Sequence, residues 1–262
     1  MQPEKVVDFI VNWLKEYAEN TKMNGFVIGI SGGIDSAVTS TLCAKTGLPT
    51  LCVEMPIHQA NNQVSRGKEH IKQLKKKFPN VSATNFDLTP VFENFKNQDT
   101  DPKDVNTLDL SLANTRARLR MTVLYYYAGL KKYLVVGTGN KVEDFGIGFY
   151  TKYGDGGVDL SPIADLMKSE VYALGFLLKV PKTIQYAAPT DGLFGDNRTD
   201  EEQIGASYDE LEWAMKIEKM GKKVDDFTER QKEVYEIYLK FNSANQHKMN
   251  SIPVCVIPNN LE

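Results

Sequence analysis

The stretch Gly25-Phe26-Val27-Ile28-Gly29-Ile30-Ser31-Gly32-Gly33-Ile34-Asp35-Ser36-Ala37-Val38 sets how the rest of the chain is read. A short apolar run stops at Ser31-Gly32-Gly33, and Asp35 and Ser36 open a helical pattern. A strand, a glycine-rich turn and a helix N-terminus in that order make a site for phosphate. Backbone N–H groups point at the ligand there, and the helix dipole favours negative charge. Two other phosphate loops are excluded: the chain holds no G-x-x-x-x-G-K-[ST], and G-I-S-G-G does not match the G-x-G-x-x-G spacing. A plain connection would need its glycines only for positive φ. The acid and two serines in the turn make that the weaker reading.

Outward from this stretch, Val6, Phe9, Ile10, Trp13, Leu14 and Tyr17 fall at helical spacing and predict an amphipathic helix over 4–20. The strand at 26–30 is short and continuously apolar, as expected when both faces are covered. A helix over 36–46 ends near Gly47, a second strand covers 51–55, and 56–62 is its loop. A helix over 62–77 carries Lys72, Lys75, Lys76 and Lys77 on its outer face, and 81–88 reads as a third strand. The polar stretch 97–106 reads as a surface loop before a long helix over 110–130. A fourth strand over 133–137 ends in Gly137-Thr138-Gly139-Asn140. Residues 144–160 read as loop, 168–178 as helix, 184–205 as irregular, 207–220 and 228–241 as helices, and 251–260 as a tail ending in a short strand.

Strands alternating with helices predict an α/β fold: a doubly wound parallel sheet with helices on both faces. Ligands of such sheets sit outside the carboxyl ends of the strands. The turns 31–36, 56–62, 87–90 and 137–143 all fall at such ends, which argues for one site.

At 262 residues and a net charge of −3, the chain has no general attraction for nucleic acid or anionic membranes, and no apolar run of transmembrane length. The opening Met-Gln-Pro-Glu-Lys has no signal-peptide pattern, so a cytoplasmic location is expected. Cys43, Cys52 and Cys255 show no zinc spacing; Cys43 and Cys52 lie in apolar patterns and read as inert buried thiols.

Four groups of residues carry chemistry. A carboxylate beside bound phosphates is repulsive unless a cation intervenes, so Asp35 reads as a Mg²⁺ ligand, although a helix-dipole acid has the same position. Glu143, just past the fourth strand, is within reach of the same site, as a second metal carboxylate or as a surface acid. Arg116, Arg118 and Arg120 are three cations in five residues, with Arg116 and Arg120 on one helix face, and predict at least one carboxylate or phosphate contact. The loop Phe149-Tyr150-Thr151-Lys152-Tyr153-Gly154-Asp155-Gly156-Gly157-Val158-Asp159-Leu160-Ser161-Pro162 is suited to stacking and hydrogen-bonding a ring substrate. The sequence offers no poised Ser-His or Cys-His pair.

The S-G-G-x-D-S loop resembles the pyrophosphate loop of the PP-loop ATP pyrophosphatases. With F-Y-T-K-Y-G-D-G-G-x-D it resembles the ammonia-dependent NAD synthetases, from the helix before Gly29 to His247-Lys248. The resemblance implies one synthetase domain over 1–262, an adenine nucleotide alpha hydrolase-like, Rossmann-like core with a C-terminal helical extension. It implies that Gly29, Ile30, Ser31, Gly32, Gly33, Ile34, Asp35 and Ser36 bind ATP, together with Thr138, Lys168 and Thr190. Arg118, Lys152, Asp159, His247 and Lys248 would hold deamido-NAD, and Asp35 and Glu143 would hold Mg²⁺. The implied reaction adenylates the nicotinate carboxylate of deamido-NAD, releasing pyrophosphate, and ammonia then displaces AMP. No covalent enzyme nucleophile is needed. A homodimer is implied, without nucleic-acid or membrane partners. The chain has no room for the amidase domain of glutamine-dependent relatives, so free ammonia or a separate amidase is expected. Glu54 stands before Met55-Pro56, where many relatives carry a basic residue. The rival readings are another PP-loop ligase of the tRNA-thiolation type and a nucleotide-binding module without turnover.

Overall fold

The apolar run of the opening stretch is β1 (Gly25–Gly29), and its residues divide between two cores. Phe26 and Ile28 pack with α1 (Pro3–Asn20) and α2 (Ile34–Lys45), while Val27 faces the other way toward Val53 and Val135. Side chains alternate across a strand, so a run that is apolar at every position must be covered on both sides. A computed structural model of the chain describes residues 1–59, 61–98, 105–190, 199–221 and 227–259.

The sheet is parallel, in the order β3-β2-β1-β4, with β2 at Thr50–Glu54, β3 at Val81–Asn85 and β4 at Tyr133–Val135. Val27 of β1 lies beside Leu51 on one side and Val135 on the other. The strand order therefore reverses at β1, and the carboxyl ends of β1 and β4 form the crevice where doubly wound folds take ligands. The face carrying α1, α2 and α6 (Lys168–Leu177) is closed by Leu14, Val38, Leu42 and Leu174. α3 (Asn61–Lys77) adds Ile71 and Leu74 to that core. The opposite face carries α4 (Thr89–Lys96), through Phe92, and α5 (Val105–Lys131), through Val123 and Ala128. A third cluster joins Val142 and Ile147, in a π-helical turn at Val142–Ile147, to Leu211, Ala214, Val234 and Tyr238. Those four come from α9 (Tyr208–Met220) and α10 (Glu229–Met249), and α8 (Asp200–Ile204) adds Ile204. The short α7 (Lys182–Gln185) contributes Ile184 to the first core.

The sheet and its covering helices agree with the sequence expectation, and the differences have local causes. β3 ends at Asn85 because its partner β2 ends opposite it at Glu54, and Pro90 at the start of α4 begins an unforeseen helix. On α1 the buried stripe is Val7, Ile10, Leu14 and Ala18, whereas Phe9, Trp13 and Tyr17 face outward. Two adjacent stripes share one helical period, and the smaller side chains let the helix approach the sheet. The described tail forms no strand: Ile252, Val254 and Val256 are exposed. Much of the 97–106 loop and residues 191–198 of the irregular segment lie outside the described residues. Cys43 and Cys52 are buried and 0% exposed, and burial pushes the Cys52 thiol up to about 12, which makes it inert.

Candidate active site

The phosphate turn is built by its own hydroxyls. Ser36 Oγ donates to the Gly33 carbonyl at 3.1 Å and lies 3.1 Å from Ser31 Oγ. Ser31 Oγ in turn accepts from the Gly33 N–H at 3.2 Å. Gly32 takes φ +83°, and a Cβ there would sit 2.4 Å from the Gln63 carbonyl oxygen, so only glycine fits. Gly33 caps α2 from an extended conformation, which places Asp35 in the first helical turn.

Asp35 meets two partners that lie more than a hundred residues away in sequence. Its Oδ2 lies 2.6 Å from Lys168 Nζ, and its Oδ1 accepts from Asn140 Nδ2 at 3.0 Å. Lys168 Nζ also lies 3.0 Å from Glu143 Oε1, which accepts from the Tyr208 hydroxyl at 2.6 Å. Lys168 is buried at the first residue of α6 and stands 4.6 Å from the centre of the Tyr208 ring. Its helix end is fixed from α9, where Glu212 accepts from the Ser169 N–H and hydroxyl, each at 2.8 Å. Asn140 is fully buried; its Oδ1 accepts from the Val142 and Glu143 N–H groups, so one amide sets both carboxylates.

Two carboxylates share one ammonium, and their titration divides accordingly. Burial, with the Glu143 charge added, holds Asp35 above the usual carboxylate range against the pull of Lys168. For Glu143 the burial cost is outweighed by Lys168 and by the Tyr208 hydrogen bond, which hold it below its ordinary value. Burial alone would lower the Lys168 ammonium, but the two carboxylates raise it. Nearby Asp144 is pushed up to about 8, by burial first and by the Glu143 charge second.

The 149–162 loop forms a second centre beside this one. Thr151 holds it through its N–H to Asp155 Oδ1 at 2.9 Å and its hydroxyl to Asn114 Oδ1 at 2.6 Å. Lys152 Nζ donates to the His247 carbonyl at 2.6 Å, and Lys248 Nζ to the Tyr150 carbonyl at 2.8 Å. Arg118 donates from Nε and Nη2 to the Lys152 carbonyl, both at 3.4 Å. Burial raises Asp155 to about 6. α10 is tied to the π-helical turn by Asn242 and Asn245, which donate to the Gly146 and Ile147 carbonyls at 2.7 and 2.8 Å.

The residues singled out from sequence therefore fall into two neighbouring groups. Gly29 through Ser36, Glu143 and Lys168 gather at the ends of β1 and β4, and Thr138 follows β4 in the same turn. Thr190 is tied to the turn through α3: its hydroxyl accepts from Gln63 Nε2 at 2.6 Å, and the Gln63 carbonyl abuts Gly32. Arg118, Lys152, His247 and Lys248 surround the second loop. Asp159 is engaged with the sheet instead: Tyr125 OH donates to Oδ1 at 3.0 Å and Val135 N–H to Oδ2 at 2.8 Å. The arginines divide as their helix faces require. Arg116 lies 4.1 Å from the Phe92 ring centre, and Arg120 donates to the Met55 carbonyl and Gln59 Oε1 at 3.2 and 3.1 Å.

Asn140, Tyr208 and Arg66 escaped the sequence reading. Asn140 lay in a turn already marked, but Tyr208 and Arg66 carry no local signal. A Ser-His hydrogen bond does exist, although it is not a poised pair. Ser40 Oγ lies 2.8 Å from His70 Nε2, yet both residues are buried between helices, and burial lowers His70 to about 4. Without access to solvent or substrate, the pair is packing.

A family model described as NAD synthase matches residues 6–252. An NH(3)-dependent NAD(+) synthetase of Mesoplasma florum is 39% identical over 216 residues, 81% of this chain and 84% of its own. Among solved structures, NMN synthetase from Francisella tularensis is similar with a TM-score of 0.82 and 33% identity, over 99% of each chain. NH3-dependent NAD synthetase from Campylobacter jejuni, in complex with the nitrate ion, is similar at a TM-score of 0.78 and 25% identity, over 98% of this chain and 100% of its own. The serine-glycine turn at the strand-order reversal, the lysine-bridged acids and these likenesses lead to one conclusion: the chain belongs to the NAD synthase family.

Proposed function

We propose that this chain is an ammonia-dependent NAD synthetase, a carbon–nitrogen ligase acting on deamido-NAD with ATP and ammonia. The observation that carries the reading is the convergence of Asp35, Glu143 and Lys168 at a phosphate turn, beside a loop that carries Lys152 and is met by Arg118 from α5 and Lys248 from α10. The single synthetase domain over 1–262, the cytoplasmic location and the homodimer belong to the same proposal. Among the described residues no helix is long and apolar enough to cross a membrane. Leu110, Tyr126 and Leu130 of α5 are exposed, which favours a dimer face.

A carboxylate has no leaving group, so ammonia cannot amidate it directly. Attack of the nicotinate carboxylate on the α-phosphate of ATP forms an acyl-adenylate and expels pyrophosphate; ammonia then adds to the acyl carbon and AMP leaves. The backbone from Gly29 to Ser36 cradles the phosphates, with Thr138 and Thr190 beside it. Lys168 faces the charge on the departing pyrophosphate. Arg118, Lys152, His247 and Lys248 hold the dinucleotide, so the work is positioning and electrostatics.

Asp35 and Glu143 fit a divalent cation, since both reach one point, the Lys168 ammonium, within 3.0 Å. Magnesium needs one or two carboxylates and completes its shell with phosphate oxygens and water. When bound it supplies charge neutralisation on the phosphates. Lys168 pairs with both acids and would give up at least one carboxylate to such a cation.

One further acceptor is favoured by a specific observation. The Francisella tularensis neighbour is an NMN synthetase, and a nicotinate mononucleotide would pass through the same two steps. The deciding assay offers purified protein ATP, Mg²⁺ and ammonium with either acid, and follows amide, AMP and pyrophosphate. NAD with AMP and pyrophosphate is the expected result. Release of ADP and phosphate, or no amide, refutes the proposal, and a preference for the mononucleotide reassigns the acceptor.

A further inference from the structure

α3 packs directly on the phosphate turn, and its contacts are of a particular kind. The Gln63 carbonyl fills the space beside Gly32, Gln63 Nε2 reaches Thr190, and Arg66 Nε donates to the Gly32 carbonyl at 3.1 Å. Arg66 is half-buried, and desolvation lowers its pKa from the ordinary value, although an arginine stays charged. Among the described residues no carboxylate lies in an ion pair with it. A half-buried guanidinium bonded only to a carbonyl is costly unless an anion completes it.

The charge balance of the turn gives the same direction. Asp35 and Glu143 outnumber Lys168 by one charge, and a divalent cation on the two acids would leave that group with only one net positive charge. A triphosphate carries more negative charge than that, so Arg66, held at the Gly32 carbonyl of the same turn, adds positive charge that the phosphates need. With Nε held by Gly32, the two terminal guanidinium nitrogens have no hydrogen-bond partner among the described residues and form a planar fork that matches phosphate oxygens.

We propose that Arg66 binds the pyrophosphate end of ATP. It holds the β- and γ-phosphates in the ground state and takes up charge as pyrophosphate leaves. In that step the nicotinate carboxylate oxygen bonds to the α-phosphorus. The bond from that phosphorus to the bridging oxygen breaks, and its electron pair stays with pyrophosphate. The inference rests on the ATP reading given above and adds a residue outside the S-G-G-x-D-S loop. It also explains why α3 is tied to both the turn and Thr190: the helix delivers the cation.

The test is calorimetric titration of the protein with inorganic pyrophosphate and, separately, with AMP, each in Mg²⁺, for wild type, Arg66→Gln and Arg66→Lys. Loss of a charge-assisted fork should weaken pyrophosphate about tenfold or more in Arg66→Gln, with AMP changed by less than about twofold. Arg66→Lys should recover part of the loss, because charge returns without the planar fork. A merely structural role would shift both ligands together. Unchanged pyrophosphate binding in Arg66→Gln, or equal weakening of AMP, overturns the proposal. The wild-type amidation assay keeps the two readings apart. If wild type makes no amide while Arg66→Gln still loses pyrophosphate selectively, the synthetase reading fails and the Arg66 assignment stands.

Discussion

Replacing Lys168 by Met tests the central electrostatics of the site. The ammonium is 3% exposed and lies 2.6 Å from Asp35 and 3.0 Å from Glu143, which are each 17% exposed. Methionine fills similar volume but leaves two buried carboxylates facing each other. Breaking a buried pair in this way costs about 3–5 kcal/mol. In a domain of this size that lowers the melting temperature by roughly 6–20 °C. The sign of the pH dependence follows. In wild type Glu143 titrates below its ordinary value, so its contribution is present above the unfolded carboxylate value and is lost as pH falls. In the variant, mutual repulsion raises both acids above their unfolded values, a penalty that is full at neutral pH and relieved by protonation. Both trends close the gap between variant and wild type as pH drops toward about 4. Mg²⁺ should also stabilise the variant without nucleotide, by about 2.7 kcal/mol at a hundredfold excess over its dissociation constant, because the cation position is now open. Differential scanning calorimetry at neutral and acid pH, with and without Mg²⁺, reads all three effects. A variant that melts within about 2 °C of wild type and ignores pH and Mg²⁺ would show that the two carboxylates do not converge as ions.

Three further substitutions separate the roles assigned above. Asp35→Asn keeps the shape of the side chain and should reduce turnover at least about a hundredfold with the melting temperature little changed; near-normal turnover would remove Asp35 from the metal site. Tyr208→Phe deletes the 2.6 Å hydrogen bond to Glu143, which should cost about 1–2 kcal/mol and raise the Mg²⁺ concentration needed for half-activity several-fold. An unaltered Mg²⁺ titration would make Tyr208 a packing residue only. Ser40→Ala breaks the buried contact with His70 and should cost about 1 kcal/mol of stability with turnover intact; loss of turnover in a folded variant would revive a covalent mechanism.

Much of the site was legible because its parts are local. The Ser31-Gly32-Gly33 turn, the strand before it and the helix after it obey short-range steric rules, and each shows in the residues themselves. The loop around Lys152 was equally plain, since exposed aromatics, glycines and charges concentrate in a few positions. Less legible was which other residues those side chains meet. Asp159 serves the sheet through Val135 and Tyr125, and Lys168 sits between the two acids.

The sequence by itself determined the order of the four strands and the long helices, the parallel sheet, the phosphate turn and the residues from which a site could be built. Apolar periodicity and turn chemistry depend on near neighbours along the chain. Only the tertiary structure decided which helical stripe of α1 faces the sheet, since adjacent stripes share one period and close packing chooses between them. It also decided that Asn140, Lys168 and Tyr208 meet at Asp35 and Glu143, and that Arg66 reaches the Gly32 carbonyl of the same turn. These meetings arise because the strand order reverses at β1, which brings the ends of β1 and β4 together while α3, α6 and α9 close around them. Separations along the chain carry no record of that closure.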